Sequence, residues 1–172
     1  DEALSTPAGQ ACAACHAPNT AFVGPDSEVN AHGSVYQGAI HTRAGNRKPP
    51  SAACASFSPD FYFDEVEGIY VGGMFWDGRA LNTVEQAKGP FLNPVEMNNP
   101  NERRVISKIL KADYGDAFLT LYAEWILDDS DPNMIPEMIF DIGDDEFVYS
   151  AYQFMAEAIA AYEASPEVNQ FS

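Results

Sequence analysis

The sequence predicts an all-α domain with long ordered loops, a single domain over residues 1–172. Three observations carry this. Beyond residue 100, apolar residues recur at the three- and four-residue spacing of amphipathic helices. Residues 17–100 hold most of the Gly and Pro and few periodic runs. Near the start, an Ala-rich stretch from Ala8 to Ala14 leads into Cys12-Ala-Ala-Cys15-His16.

The helices are read in order. Asn99-Pro100-Asn101-Glu102 has the form of a helix start, with Asn99 as cap, Pro100 at the first helical position and Glu102 at the third. Val105, Ile106, Ile109 and Leu110 then form one apolar stripe. Gly115 precedes a second helix, with Phe118, Leu121, Tyr122 and Trp125 expected to face inward. A third runs from about Phe147 to Ala164 with the stripe Val148, Ala151, Phe154, Met155, Ala158, Ile159 and Tyr162, and Pro166 stops it. No internal repeat or low-complexity segment interrupts the chain.

Long irregular segments inside a compact domain normally argue against such an assignment. The motif at residues 12–16 resolves the conflict. In CxxCH, two thiols add to the two vinyl groups of haem and the adjacent His reaches the iron from the same short turn. Haem c, bound through Cys12 and Cys15 with His16 as iron ligand, supplies an apolar core that loops can wrap. The expected fold is therefore a c-type cytochrome domain, with one covalent haem per chain. Zinc is the competing reading, but only Cys54, His32 and His41 remain as soft ligands. A thioredoxin-type CxxC would need a βαβ setting, which is absent. Covalent attachment of haem implies a periplasmic location, and the polar start at Asp1-Glu2 fits a mature product whose leader was removed.

The formal net charge of -17 argues against nucleic acid and anionic membrane surfaces as partners, because both would repel the chain. No apolar run approaches the roughly 20 residues of a membrane span. All nine Lys and Arg lie between Arg43 and Lys111, whereas Asp128 to Glu146 holds eight acids and no cation. That acidic stretch reads as a solvated surface loop, with a docking face for a cationic electron donor or a calcium site as the sharper alternatives. Cys54, in a small apolar run, is expected to be a buried inert thiol.

The sixth position on iron decides the chemistry. An electron carrier keeps it filled, often by Met, whereas a peroxidase leaves it open or can open it. The candidates by type are His32, His41 and the methionines. A surface location is the plain alternative for each His, and core packing for each Met.

Several motifs in one order now resemble a known family, the bacterial diheme cytochrome c peroxidases and the related MauG-type enzymes. They are CAACH, GNRKPPS at Gly45–Ser51, GGMFWDGRA at Gly72–Ala80, EQAKGPFLNPVEM at Glu85–Met97 and the closing AIAAYEASPE. The resemblance runs from Cys12 to about Glu163 and covers the amino-terminal half of the family's protein, the half with the peroxidatic haem. It implies that His16 is the proximal ligand and His32 the removable distal one, with His41 as runner-up. It implies that Trp76 lies between two haems, that Gln86 and Glu96 form the distal pair, and that Asn46 helps hold a calcium ion at the domain boundary.

The residue chemistry agrees with that assignment. Cleaving H2O2 into water needs a group that takes a proton from one oxygen and returns it to the other, and a buried carboxylate such as Glu96 can do both. Gln86 can orient peroxide by hydrogen bonds. Asp77 and Arg79 are expected to form a local ion pair or to contact a haem propionate. The second CxxCH of the family is not in these 172 residues. The expectation is therefore a second haem on another chain, cleaved or separate, or a dimer, with a lone-haem enzyme as the remaining case. Three functions follow: H2O2 reduction with electrons from a small cytochrome or cupredoxin, MauG-like oxidation of a protein side chain, or a monohaem electron carrier without turnover.

Overall fold

The computed structural model describes residues 1–129 and 141–170. Most of the acidic stretch from Asp128 to Glu146 thus lies outside the described residues. The helices are α1 (Ser27–Ala31), α2 (Thr83–Leu92), α3 (Glu102–Ile109), α4 (Gly115–Asp129), α5 (Asp145–Ala164) and α6 (Pro166–Asn169). Single 3-10 turns at Glu2–Leu4, Cys12–Ala14, Pro18–Thr20 and Ala55–Phe57 punctuate the loops. A two-stranded antiparallel hairpin, β1 (Tyr62–Asp64) and β2 (Ile69–Val71), is the one sheet among the described residues and departs from the all-α expectation.

Helix α5 is the spine. It packs on α2 and α3, and its end packs on α6 and the 55–57 turn. The core joins Phe91 and Met97 to Val105, Ile106 and Ile109 of α3, Tyr122 of α4, and Phe147, Val148, Ala151, Tyr152 and Met155 of α5. Val105 and Ile106 are fully buried, each such side chain stabilising the fold by about 1.5–3 kcal/mol relative to exposure. The α5 stripe is wider than expected and shifted at its end: Val148, Ala151 and Met155 are buried and Phe154 and Ile159 pack against the core as expected, Tyr152, Ala156 and Ala160 are buried as well, and Ala158 and Tyr162 face solvent. Leu121 of α4 is likewise exposed.

The start of α3 also differs. Asn101, not Asn99, is the cap, its side chain accepting from the Arg104 amide at 2.9 Å. Asn99 is buried instead and donates to the carbonyls of Leu4 and Phe91, both at 2.9 Å. The Ala-rich stretch before the motif forms only the turn at Cys12–Ala14. Cys54 is exposed rather than buried, at a left-handed φ of 65°, and caps the 55–57 turn.

The hairpin pairs Tyr62 with Val71, Phe63 with Tyr70 and Asp64 with Ile69. Asp64 accepts from the amides of Val66 and Glu67 and, through its carbonyl, from Gly68, which closes the turn. Tyr70 stacks on Phe61 at 5.3 Å between ring centroids. Phe63, Val66, Ile69 and Tyr70 remain exposed, so this hairpin buries little of its own apolar surface.

Candidate haem site and distal pocket

The Cys12–Ala14 turn places the motif's three groups on one short arc. The amides of Cys15 and His16 both donate to the Cys12 carbonyl, at 3.0 and 2.8 Å. His16 Nδ1 lies 3.2 Å from the Phe22 carbonyl, and burial holds its imidazole below the usual range against the opposing pull of the Phe22 and Pro50 carbonyls. A neutral imidazole whose Nδ1–H is committed to a carbonyl leaves Nε2 free, the arrangement that metal-ligating histidines use. Gln10 Nε2 approaches Cys15 Sγ at 3.6 Å. Burial, then Glu96, then Cys12 push the Cys15 thiol up to about 11. Among the described residues no three His, Cys, Asp or Glu side chains cluster as a metal site. The donor set, two thiols and a preset imidazole on one turn, fits covalent haem.

Two loops bring the opposing carboxylate to this turn. Asn82 caps α2 by accepting from the Glu85 amide, which sets Gln86 in the helix's second turn with a half-buried side chain. After Pro90 the chain folds back, and the Glu96 amide donates to Asn93 O at 3.0 Å. Ala39 N in turn donates to Glu96 O at 2.7 Å. Gly38 makes that approach possible: a Cβ there would lie 2.3 Å from Val95 O and 2.6 Å from Glu96 O. Desolvation raises the Glu96 carboxyl, offset in part by Arg79 and Asn93. Cys15 feels Glu96, and Glu96 feels Arg79, so the candidate acid, the attachment turn and this cation share one electrostatic neighbourhood.

The GGMFWDGRA segment is a tight loop closed by the Met74–Ala80 bridge, with Met74 N donating to Ala80 O at 2.8 Å. Asp77 pairs with Arg79 at 2.7 Å and with Arg47 at 2.9 Å. The Arg79 hydrogen bond, before the charges of Arg47 and Arg79, holds the Asp77 carboxyl below its usual range. Arg79 also lies over the Phe75 ring at 3.5 Å. Trp76 is 63% exposed and is fixed by one hydrogen bond, Nε1 to Lys48 O at 2.7 Å. It is a surface aromatic here, not a core residue.

His32 caps the C-terminal end of α1, exposed, with Nδ1 2.8 Å from Glu28 O. His41 and Asn46 are also exposed. Among the described residues no hydrogen bond joins His32 or His41 to His16, Gln86 or Glu96. Residue reading from sequence missed Gln10, Gly38 and Glu163. Glu163 sits in the closing AIAAYEASPE motif; burial pushes its carboxyl up to about 7, and its charge acts on Cys12.

The sequence profile of the family described as di-haem cytochrome c peroxidase matches residues 1–170. The methylamine utilization protein MauG of Paracoccus denitrificans is 39% identical over 173 residues, spanning 99% of this chain and 39% of that protein. The cytochrome c peroxidase Ccp of Escherichia coli is 31% identical over 112 residues, 64% of this chain and 19% of that protein. The crystal structure of the diheme peroxidase BthA from Burkholderia thailandensis superposes with a TM-score of 0.76 at 31% identity, over 100% of this chain and 37% of that one. The chain thus spans under two fifths of the length of each of these relatives.

Proposed function

The chain belongs to the di-haem cytochrome c peroxidase family, and from that premise we propose that it is the peroxidatic-haem domain of a periplasmic oxidoreductase. It reduces H2O2 with two electrons and two protons to two waters. Electrons come from a small cytochrome or cupredoxin by way of a second haem domain. With haem bound through Cys12 and Cys15, the iron supplies the redox chemistry and polarises the peroxide bond.

The other steps belong to side chains of this chain. His16 would hold the iron, its ring steadied by Nδ1 at 3.2 Å from Phe22 O. Glu96 takes a proton from one peroxide oxygen and hands it to the departing one. Burial raises its affinity for protons above that of a solvated carboxyl, the direction that a group which must also return a proton needs. Gln86 orients peroxide by hydrogen bonds. Arg79 supports the loop through Asp77 and supplies positive charge near Glu96. Trp76 carries electrons at the surface that meets the second haem domain. His32 would serve as the removable distal ligand of the haem, and its exposed position at the end of a five-residue helix suits a group that must leave. Asn46 contributes to a calcium ion shared with the second domain.

The observation that carries this reading is the desolvated Glu96 within electrostatic reach of both the haem-attachment turn and Arg79. The test is steady-state oxidation of a reduced small cytochrome by H2O2, catalysed by the haem-loaded, full-length protein. Turnover is expected, with a high-spin ferric or reduced state on activation. A low-spin haem at every redox level, inert to peroxide, overturns it in favour of an electron carrier.

One observation favours a second reading, MauG-like oxidation of a protein side chain: the similarity to MauG runs over 99% of the chain, that to Ccp over 64%. Exposed Trp76 would then pass oxidising equivalents outward to the protein substrate. Peroxide consumption that leaves the small cytochrome reduced and modifies a protein instead would select it.

A further inference from the structure

Lys108, on α3, has no carboxylate partner among the described residues. Its ammonium donates to Thr6 Oγ1 at 2.7 Å, Asn99 Oδ1 at 3.0 Å, Leu4 O at 3.3 Å and also to Ser5 O. All four acceptors are neutral, and they converge on one nitrogen. That geometry suits a compact point charge and not the planar fork of Arg. Burial lowers the ammonium's proton affinity, with Arg104 adding to the effect.

The nest joins two segments that are far apart in sequence. Thr6 N donates to Met97 O at 2.8 Å, Asn98 Nδ2 to Thr6 O at 2.7 Å, Asn99 Nδ2 to Leu4 O at 2.9 Å and Thr6 Oγ1 to Asn99 Oδ1 at 2.8 Å. On one side the lattice continues to the attachment turn: Gln10 N donates to Ser5 Oγ at 2.9 Å, and Gln10 Nε2 reaches Cys15 Sγ at 3.6 Å. On the other side it ends at Met97, the residue after Glu96. Ser5 and Asn99 are both buried, at 1% and 3% exposure, so these bonds are poorly contested by water.

We infer that Lys108 is a positioning residue for Glu96, clamping the amino-terminal arm at residues 4–6 to the 97–99 loop so that the carboxylate keeps a fixed height above the haem-attachment turn. The inference rests on the reading of Glu96 as the proton-handling group. Arg79 is the cation whose charge acts on the Glu96 carboxyl; the effect of Lys108 is geometric. Displacing a catalytic group by about 1 Å can cost on the order of a hundredfold in rate.

The experiment uses the haem-loaded, full-length protein with Lys108→Met, Thr6→Val, Glu96→Gln and the Lys108→Met/Glu96→Gln double variant. Two quantities are read: the rate of peroxide consumption, and the association rate of cyanide with ferric haem, which probes the distal side without turnover. Lys108→Met is expected to slow both by roughly ten- to a hundredfold, and Thr6→Val less, in the same direction. In the Glu96→Gln background, Lys108→Met adds nothing, because the clamp works through Glu96. A Lys108→Met protein that melts lower but keeps both rates overturns the inference, as does full additivity in the double variant. If Lys108→Met does not retain haem, Thr6→Val decides: unchanged rates overturn the inference and slowed rates support it. If Glu96→Gln itself leaves both rates untouched, the Glu96 reading fails and takes this inference with it. If Glu96→Gln slows them and Lys108→Met does not, only the inference falls.

Discussion

Replacing Glu163 with Gln is expected to stabilise the protein, and only above acid pH. The side chain is half-buried in the last turn of α5. Burial alone raises its carboxyl from 4.5 to about 7. No hydrogen bond or ion pair compensates that carboxyl among the described residues; the bond from Asn169 Nδ2 goes to the Glu163 backbone carbonyl, at 2.6 Å. At about 1.4 kcal/mol per pK unit, the displacement is worth at most about 3 kcal/mol. Water reaches part of the side chain, which reduces the figure to about 1–2 kcal/mol. The sign follows from proton linkage: the native state binds this proton more tightly than the unfolded chain does. The group's contribution to stability is therefore complete below about pH 4.5, declines between 4.5 and about 7, and stays lost above that. Gln carries no charge to desolvate, so Glu163→Gln should gain about 1–2 kcal/mol at pH 8 and nothing comparable at pH 4. Guanidinium unfolding of the holoprotein at both pH values measures this as a shift in midpoint. A variant no more stable than the parent at pH 8, or equally shifted at both pH values, would refute the reasoning.

Two other predictions concern the frame of the site. Gly38→Ala places a Cβ within 2.6 Å of the Glu96 carbonyl; it should displace the Glu96 loop and cut peroxide turnover by roughly tenfold or more, while Gly45→Ala, whose Cβ would meet only Val95 Cγ2 at an ordinary 4.0 Å, should leave turnover unchanged. Asn101→Ala removes the observed α3 cap and should cost about 1 kcal/mol by denaturant unfolding, whereas an equal loss without any change at the α3 terminus in amide exchange would contradict the capping role.

What the sequence disclosed depends on how local each feature is. The Cys12–His16 motif was legible because it fits in one turn, whose backbone hydrogen bonds run between residues four apart or fewer. The helices α3, α4 and α5 were legible from apolar spacing, and most of the buried face of α5 with them; its edge was not, because whether Tyr152, Ala156 and Ala160 or Ala158 and Tyr162 turn inward depends on the elements packed against α5. Asn99 imitates a cap in sequence; its burial between Leu4 and Phe91 is a tertiary fact, and capping passes to Asn101. The hairpin at residues 62–71 has strands of three residues and little of its own surface buried, so no alternation was long enough to mark it. Glu96 and Gln86 were named through family resemblance. The Gly38 approach that holds Glu96 and the Lys108 nest join residues up to about a hundred apart and leave no local pattern, whereas the Asn82 cap that sets Gln86 is local and went unread.

The decisive experiment is the reaction of stoichiometric H2O2 with the purified protein and its Glu96→Gln variant, followed in the Soret band. One covalently bound haem on these residues is expected in both proteins, with a peroxide reaction that Glu96→Gln slows by about a hundredfold or more, the range of a lost general acid–base group. A Soret band that is absent from the parent protein, or a variant that reacts with peroxide as fast as the parent, would contradict that expectation.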